Sequence, residues 1–287
     1  MPAVRWWARL RARSRRAFAK DNPISSISTP APYLGGKRNL AKRLTALIDA
    51  TPHRIYVEPF VGMGGIFLRR SRPAPVEVIN DISGDVINFF RVAQRHPDAL
   101  AQDLRGRLSS REEFERLRRV DPTTLTDIER AGRFLYLQRL TFGGKIRTRT
   151  FGVDKTGSSR FDPRKVIPNL ERLGSRLAGV TIERLGYAAV IERYDDPRAL
   201  FYLDPPYWDC EDDYGTGVFE RADFERLADQ LATIRGRFIL SINATDGARA
   251  VFSRFDIEDV ETTYTVGSGS GKRVRELIIS NISNRKD

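Results

Sequence analysis

Asp204-Pro205-Pro206-Tyr207 follows directly on the apolar run Ala199 to Leu203, which reads as a buried strand. Two successive prolines stiffen the turn, because each locks φ and removes a backbone donor. The Asp204 carboxylate and the Pro205 carbonyl then form a preorganised pair of acceptors. A planar exocyclic amine such as adenine N6 offers two hydrogens and a lone pair delocalised into the ring. Acceptors on both hydrogens hold such an amine toward an electrophile and favour the charge that develops on it. Tyr207 supplies a ring on which a base taken out of a duplex can stack. This chemistry asks for no metal and no histidine-activated nucleophile. The same tetrapeptide also serves as an ordinary proline turn capping a strand.

Two further groups could hold a methyl-bearing or nucleoside ligand beside that corner. Tyr56-Val57-Glu58-Pro59-Phe60-Val61-Gly62-Met63-Gly64-Gly65 follows a strand pattern and is expected to open a helix. Gly62 and Gly64 let the backbone turn tightly and approach a ligand closely. A nucleoside site of this kind wants a carboxylate roughly 20 residues further on, for the ribose hydroxyls. Asp81, in Asn80-Asp81-Ile82 at the end of the next strand pattern, fills that position. The glycine spacing is not Gly-x-Gly-x-x-Gly, which counts against a nicotinamide cofactor. Earlier, Tyr33-Leu34-Gly35-Gly36-Lys37 stands ahead of a helix. Lys37 suits a carboxylate there, such as that of a methionine-derived cofactor, and Tyr33 can pack against the same ligand. A structural turn and a solvated lysine are the plainer readings of these two segments.

Composition narrows the field. The chain has 287 residues, 40% of them apolar, with a formal net charge of +12. An excess of Lys and Arg points to a polyanionic partner, since phosphate contacts release condensed counterions. Only two histidines, His53 and His96, and one cysteine, Cys210, are present. A disulfide framework, a His/Cys metal site and a Ser/His triad are therefore hard to build, and no metal is expected. The single cysteine fits a reducing compartment, and no apolar run reaches the roughly 20 residues of a membrane helix. No membrane partner is expected.

The elements that must position these groups follow from periodicity. Helical spacing runs from Leu40 to Ala50, and strand patterns occupy Arg54 to Val61 and Pro75 to Asn80, with a helix over Val86 to Val92. From Pro97 to Arg193 helical patterns dominate, as at Arg111 to Arg119 and Ile128 to Leu140. They flank a basic loop with Lys145, Arg147 and Arg149, the expected DNA contacts, although a solvated basic loop would look the same. The strand at Ala199 to Leu203 is followed by a helix over Phe219 to Thr233, a strand over Arg237 to Ile242, and two strands between Ile257 and Ser283 joined by Gly267-Ser268-Gly269-Ser270-Gly271. Strands alternating with helices at both ends of a helical block argue for an α/β sheet carrying an insertion. Residues 31–94 and 191–287 form the expected core, 95–190 the inserted, mainly helical recognition domain, and 1–30 a basic arm and linker. The arm, with seven Lys and Arg between Arg5 and Lys20, reads as an extension without a role as readily as it reads as either a DNA-binding arm or a targeting peptide.

In this order the segments resemble the D12 class of DNA adenine-N6 methyltransferases, the Dam-like α group. The carriers are Tyr33-Leu34-Gly35-Gly36-Lys37, Glu58-Pro59-Phe60-Val61-Gly62-Met63-Gly64, Asn80-Asp81, Asp204-Pro205-Pro206-Tyr207 and Glu276-Leu277-Ile278-Ile279-Ser280-Asn281. The resemblance implies a Rossmann-like sheet with a reversed last strand, S-adenosylmethionine as methyl donor and double-stranded DNA as substrate. It places Tyr33, Lys37, Glu58, Phe60, Gly62, Gly64, Asp81 and Asp204 at the cofactor or its junction with a flipped adenine. Asp204 to Tyr207 then form the catalytic corner. A cytoplasmic, monomeric enzyme of bacterial, archaeal or phage origin is the expected setting. The aromatic before Gly-Gly-Lys is often Trp in Dam itself. The loop Thr141 to Arg149 also differs from that of Dam, which leaves the target sequence open. RNA adenine, cytosine N4 and a protein glutamine amide are the competing acceptors, and an inactive DNA-binding module is the non-enzymatic alternative.

Overall fold

The computed structural model describes residues 27–33, 37, 39–146, 148–153, 157–215, 217–264 and 272–282. The arm before residue 27, Gly35, Gly36, Arg147 and the glycines 267–271 lie outside the described residues.

Helix α1 (Ala41–Ala50) leads into β1 (Ile55–Glu58), β2 (Val76–Asn80) and α2 (Gly84–Arg95). Then follow α3 (Pro97–Arg105), α4 (Arg111–Arg119), α5 (Asp127–Leu140), α6 (Pro163–Leu177), β3 (Thr181–Glu183) and α7 (Tyr187–Tyr194). The chain finishes with β4 (Ala199–Leu203), α8 (Arg221–Thr233), β5 (Arg237–Asn243), α9 (Asp246–Val251), β6 (Asp256–Tyr264) and β7 (Lys272–Ser280). Among the described residues these strands form one seven-stranded sheet in the order β3-β2-β1-β4-β5-β7-β6. The strands β1 to β5 pair in parallel, while β7 runs antiparallel to both β5 and β6. This is an open, Rossmann-like α/β sheet, with the reversed strand β7 inserted between β5 and the edge strand β6.

Both faces of the sheet are covered, so strands such as β4 (Ala199–Leu203) are buried at every position rather than alternating with exposed polar residues. Along each strand, successive side chains enter opposite cores. Tyr56, Ile79, Leu200, Tyr202, Ile239 and Ile278 face the core shared with α1, α2 and the helical block. Val57, Val78, Phe201, Leu203, Leu240 and Leu277 face the core under α7, α8 and α9. No helix of the described residues is long and apolar enough to cross a membrane.

Three boundaries differ from the sequence expectation. The glycine loop opens no full helix: tight turns lead to a single 3-10 turn at Phe67–Arg69. Gly62 and Gly64 sit at φ of 51° and 72°, a left-handed conformation that α-helix cannot continue through. The sheet resumes at Thr181 inside the expected insertion 95–190, since β3 pairs with β2 through Val78, Ile79 and Asn80. The segment expected as linker is packed from Ile27 onward. Ile27 and Ala31 are 4% and 2% exposed, and the Ile27 amide donates to the Leu68 carbonyl at 2.9 Å.

Candidate active site

The strand order reverses at β1, which lies between β2 and β4. In open parallel sheets ligands bind outside the carboxyl ends of the strands at such a reversal. Glu58 ends β1, Asp81 follows β2, Asp204 follows β4 and Asn243 ends β5. The sheet therefore delivers these polar side chains from separate strand ends to one rim. A cavity of about 880 Å³ opens there, lined among others by Tyr33, Lys37, Glu58, Phe60, Asp81 and Asp204.

Asp81 is organised by backbone. The Gly62 amide donates to Oδ2 at 3.0 Å and the Ser83 amide to Oδ1 at 2.8 Å. Burial nevertheless raises its pKa to about 6, the two amides working in the opposite direction. Tyr33 packs on the same loop: a Cβ added at Gly62 would come within 2.9 Å of its ring. Phe60 stacks on Tyr187 with centroids 5.7 Å apart, and Phe219 meets Phe60 edge-on at 6.0 Å. An apolar wall and a carboxylate lining one cavity suit a nucleoside, whose ring and ribose make those two demands.

Glu58 is 1% exposed and accepts a hydrogen bond from the Tyr56 hydroxyl at 2.5 Å. Burial pushes its pKa up to about 8. Asp204 is likewise raised to about 6, by burial first, with Lys37 pulling it back down. Lys37, 2% exposed, places Nζ 2.7 Å from Asp204 Oδ1 and donates to the Tyr207 hydroxyl at 2.5 Å. The Tyr207 hydroxyl in turn donates to Glu276 Oε1 at 2.6 Å. Ser241 donates weakly to Asp204 Oδ1 at 3.4 Å.

The expected residues thus converge to different degrees. Asp204 and Pro206 line the cavity, with Pro205 buried beside them and Tyr207 held by its hydroxyl. Gly62 lines it too, whereas Gly64 lies behind, packed against Leu68 and Phe90. In the basic loop Lys145 is exposed. Arg149 is half-buried, its guanidinium 5.6 Å above the Phe134 ring and 3.5 Å from Gln138 Oε1. Four contributors are new. Glu276 joins the Lys37 cluster from β7. Asn243 brackets Trp208, accepting from its amide at 2.8 Å and donating to its carbonyl at 3.0 Å. Asn80 donates to the Pro59 and Leu185 carbonyls at 2.8 and 3.0 Å, tying β1's loop to the segment before α7. Gln138 donates to the Pro32 and Gly144 carbonyls at 3.0 and 2.7 Å, joining the basic loop to Tyr33's segment. No cluster of three or more His, Cys, Asp or Glu able to hold a metal occurs among the described residues.

The family model of the D12 class N6 adenine-specific DNA methyltransferases matches residues 33–266. The chain belongs to this class. It is an adenine-specific DNA methyltransferase, drawing its methyl group from S-adenosylmethionine as the class does. A type II methyltransferase of Lactococcus lactis subsp. cremoris is 27% identical over 274 residues, covering 88% of this chain and 94% of its own. A type II methyltransferase of Paramecium bursaria Chlorella virus NC1A is 24% identical, covering 84% of this chain and 92% of its own. A DNA adenine methylase of Haemophilus influenzae is 24% identical over 271 residues, covering 86% and 91%. Membership of the D12 class accounts for the order of the motifs around the cavity, from the Lys37 segment to the hairpin bearing Glu276.

Proposed function

We propose that the Asp204–Tyr207 corner holds the exocyclic amine of an adenine flipped out of double-stranded DNA, with the Asp204 carboxylate and the Pro205 carbonyl each accepting one N6 hydrogen. The supporting observation is the placement of Asp204, which faces the cavity from the end of β4 with Oδ1 engaged by Lys37. One carboxylate oxygen is thereby fixed and the other is left to the amine. Positive charge grows on N6 as its lone pair forms the new bond, and a fixed carboxylate meets that charge without reorganising. At pH 7 and above Asp204 is mostly ionised, its pKa being about 6, so it acts as an acceptor.

When bound, S-adenosylmethionine supplies an electrophilic methyl group on a sulfonium. The residues for holding it are Tyr33, Lys37, Glu58, Phe60, Gly62, Gly64 and Asp81. Asp81 offers the remaining lone pairs of both carboxylate oxygens to ribose hydroxyls, Phe60 an apolar face, and the buried Glu58 carboxyl and Lys37 ammonium polar partners for an amino-acid end. Gly64 contributes through the loop's shape. Residues 95–180, with Lys145, Arg147 and Arg149 on one loop, serve as the DNA-recognition unit. The enzyme works as a cytoplasmic monomer.

Expression in a host without DNA methylation, followed by methylation-sensitive sequencing, tests the reading. N6-methyladenine in one recurring short sequence is the expected result. Label on cytosine N4, on RNA or on no nucleic acid would overturn it.

A further inference from the structure

Glu276 stands outside any role so far assigned, yet its surroundings are unusual. It lies on β7 in register with Asn243 of β5 and Val260 of β6, followed by the apolar run Leu277-Ile278-Ile279. A carboxylate in such a strand is costly to bury unless it is paired. Alternation puts Glu276 on the face of Ile278, on the same side of the sheet as Tyr202. There its Oε1 accepts from the Tyr207 hydroxyl at 2.6 Å, and its Oε2 is 3.5 Å from Lys37 Nζ. Lys37 lies over the Tyr207 ring, 4.2 Å from its centroid. The catalytic corner is thus tied to β7 twice, once through a ring and once through a cation.

We propose that Glu276 is a positioning residue for methyl transfer: through Tyr207 and Lys37 it fixes the orientation and charge of the corner that receives the amine. The inference rests on the reading of Asp204 given above. Its physical basis is a shared cation. The buried ammonium of Lys37 is divided between two carboxylates, so Glu276 draws part of its field away from Asp204. Asp204 then meets the growing positive charge on N6 with less of its own charge already offset. The Tyr207 hydroxyl, held between Lys37 and Glu276, leaves its ring a single orientation in which to meet a base.

Among the described residues, the titratable and polar groups around Asp204 come from several neighbouring elements. They are Lys37 from the segment before α1, Glu58 from β1, Tyr202 from β4, Ser241 from β5, Glu276 from β7 and Tyr214 from the loop after the corner. The charge of Glu276 opposes ionisation of Asp204. Removing that charge therefore lowers the Asp204 pKa, a change that the acid limb of the rate reports.

Glu276→Gln, Glu276→Asp and Asp204→Ala, each with a melting curve, test this in single-turnover methyl transfer measured across pH. For Glu276→Gln the expected result is a rate lower by about tenfold or more. Its acid limb should move to lower pH, while the DNA KM and the cofactor Kd stay within about threefold of the parent. Glu276→Asp keeps the charge but withdraws it by one methylene from Tyr207. It should keep the parent's acid limb and still lose rate, which preserves the test should the Gln variant not fold. Parent rates in either variant, or a slow Gln variant whose acid limb has not moved, would overturn the proposal. Activity in Asp204→Ala would instead overturn the reading on which it rests.

Discussion

Three carboxylates face the cavity, and burial raises all three: Glu58 to about 8, Asp81 and Asp204 to about 6. For Asp204 the consequence is kinetic. The proposed role needs the carboxylate, so the single-turnover rate with cofactor saturating should fall as pH drops through about 6 and level off above it. A rate independent of pH between 5 and 8 would contradict the role. For Glu58 the consequence is stability. Its folded pKa lies above the ordinary value near 4.5, so it stabilises the fold fully below that pH and loses the contribution as pH rises through about 8. The loss has a limiting slope of about 1.4 kcal/mol per pH unit. Glu58→Gln lacks this titration, and its amide carbonyl can still accept from Tyr56. Urea denaturation at pH 5 and pH 8 should show the Gln variant gaining on the parent with pH. A constant difference would show that Glu58 does not titrate in this range. Asp204 and Lys37 were legible in the sequence because each stands beside a proline or glycine signature, and Asp81 because it ends a strand pattern about 20 residues beyond the glycine loop. Glu276 was not given a role, since its partners come from residues near positions 37 and 207 and only the sheet order brings them to β7.

The strand ends do the positioning, and the turns after them carry the strain. Gly62 shows this most directly. Its φ of 51° disfavours any side chain, and a Cβ would lie 2.9 Å from the Tyr33 ring. Gly62→Ala should cost about 1–3 kcal/mol in stability. Moving both Tyr33 and the amide that holds Asp81, it should also weaken S-adenosylmethionine binding about tenfold, as read by calorimetry. Unchanged affinity would mean that this loop does not shape the cofactor site. Strands with continuous apolar runs, such as Ala199–Leu203, and helices with clear periodicity, such as Arg111–Arg119, were legible to the residue. β3 was not, because three residues carry too little periodicity to separate from the helical block around them. The expected helix after the glycine loop failed for the opposite reason. A strand running into a Gly-rich turn leads one to expect a helix behind it, but the two left-handed glycines take the backbone elsewhere.

At the scale of the molecule, a net charge of +12 suits a protein that follows the phosphate backbone. Lys145 is exposed on the basic loop, which Gln138 ties to Tyr33's segment. Lys145→Glu should weaken DNA binding and reduce the slope of log affinity against log salt by about one, with cofactor affinity unchanged. Equal slopes for variant and parent would remove Lys145 from the interface. The direct test of the central claim is the transfer of labelled methyl from S-adenosylmethionine to DNA by the parent and by Asp204→Ala, with the labelled nucleoside identified after digestion. The account predicts label only in N6-methyladenine and a loss of at least about a thousandfold in the folded Ala variant. Transfer at the parent rate by that variant, or label on another base, would contradict it.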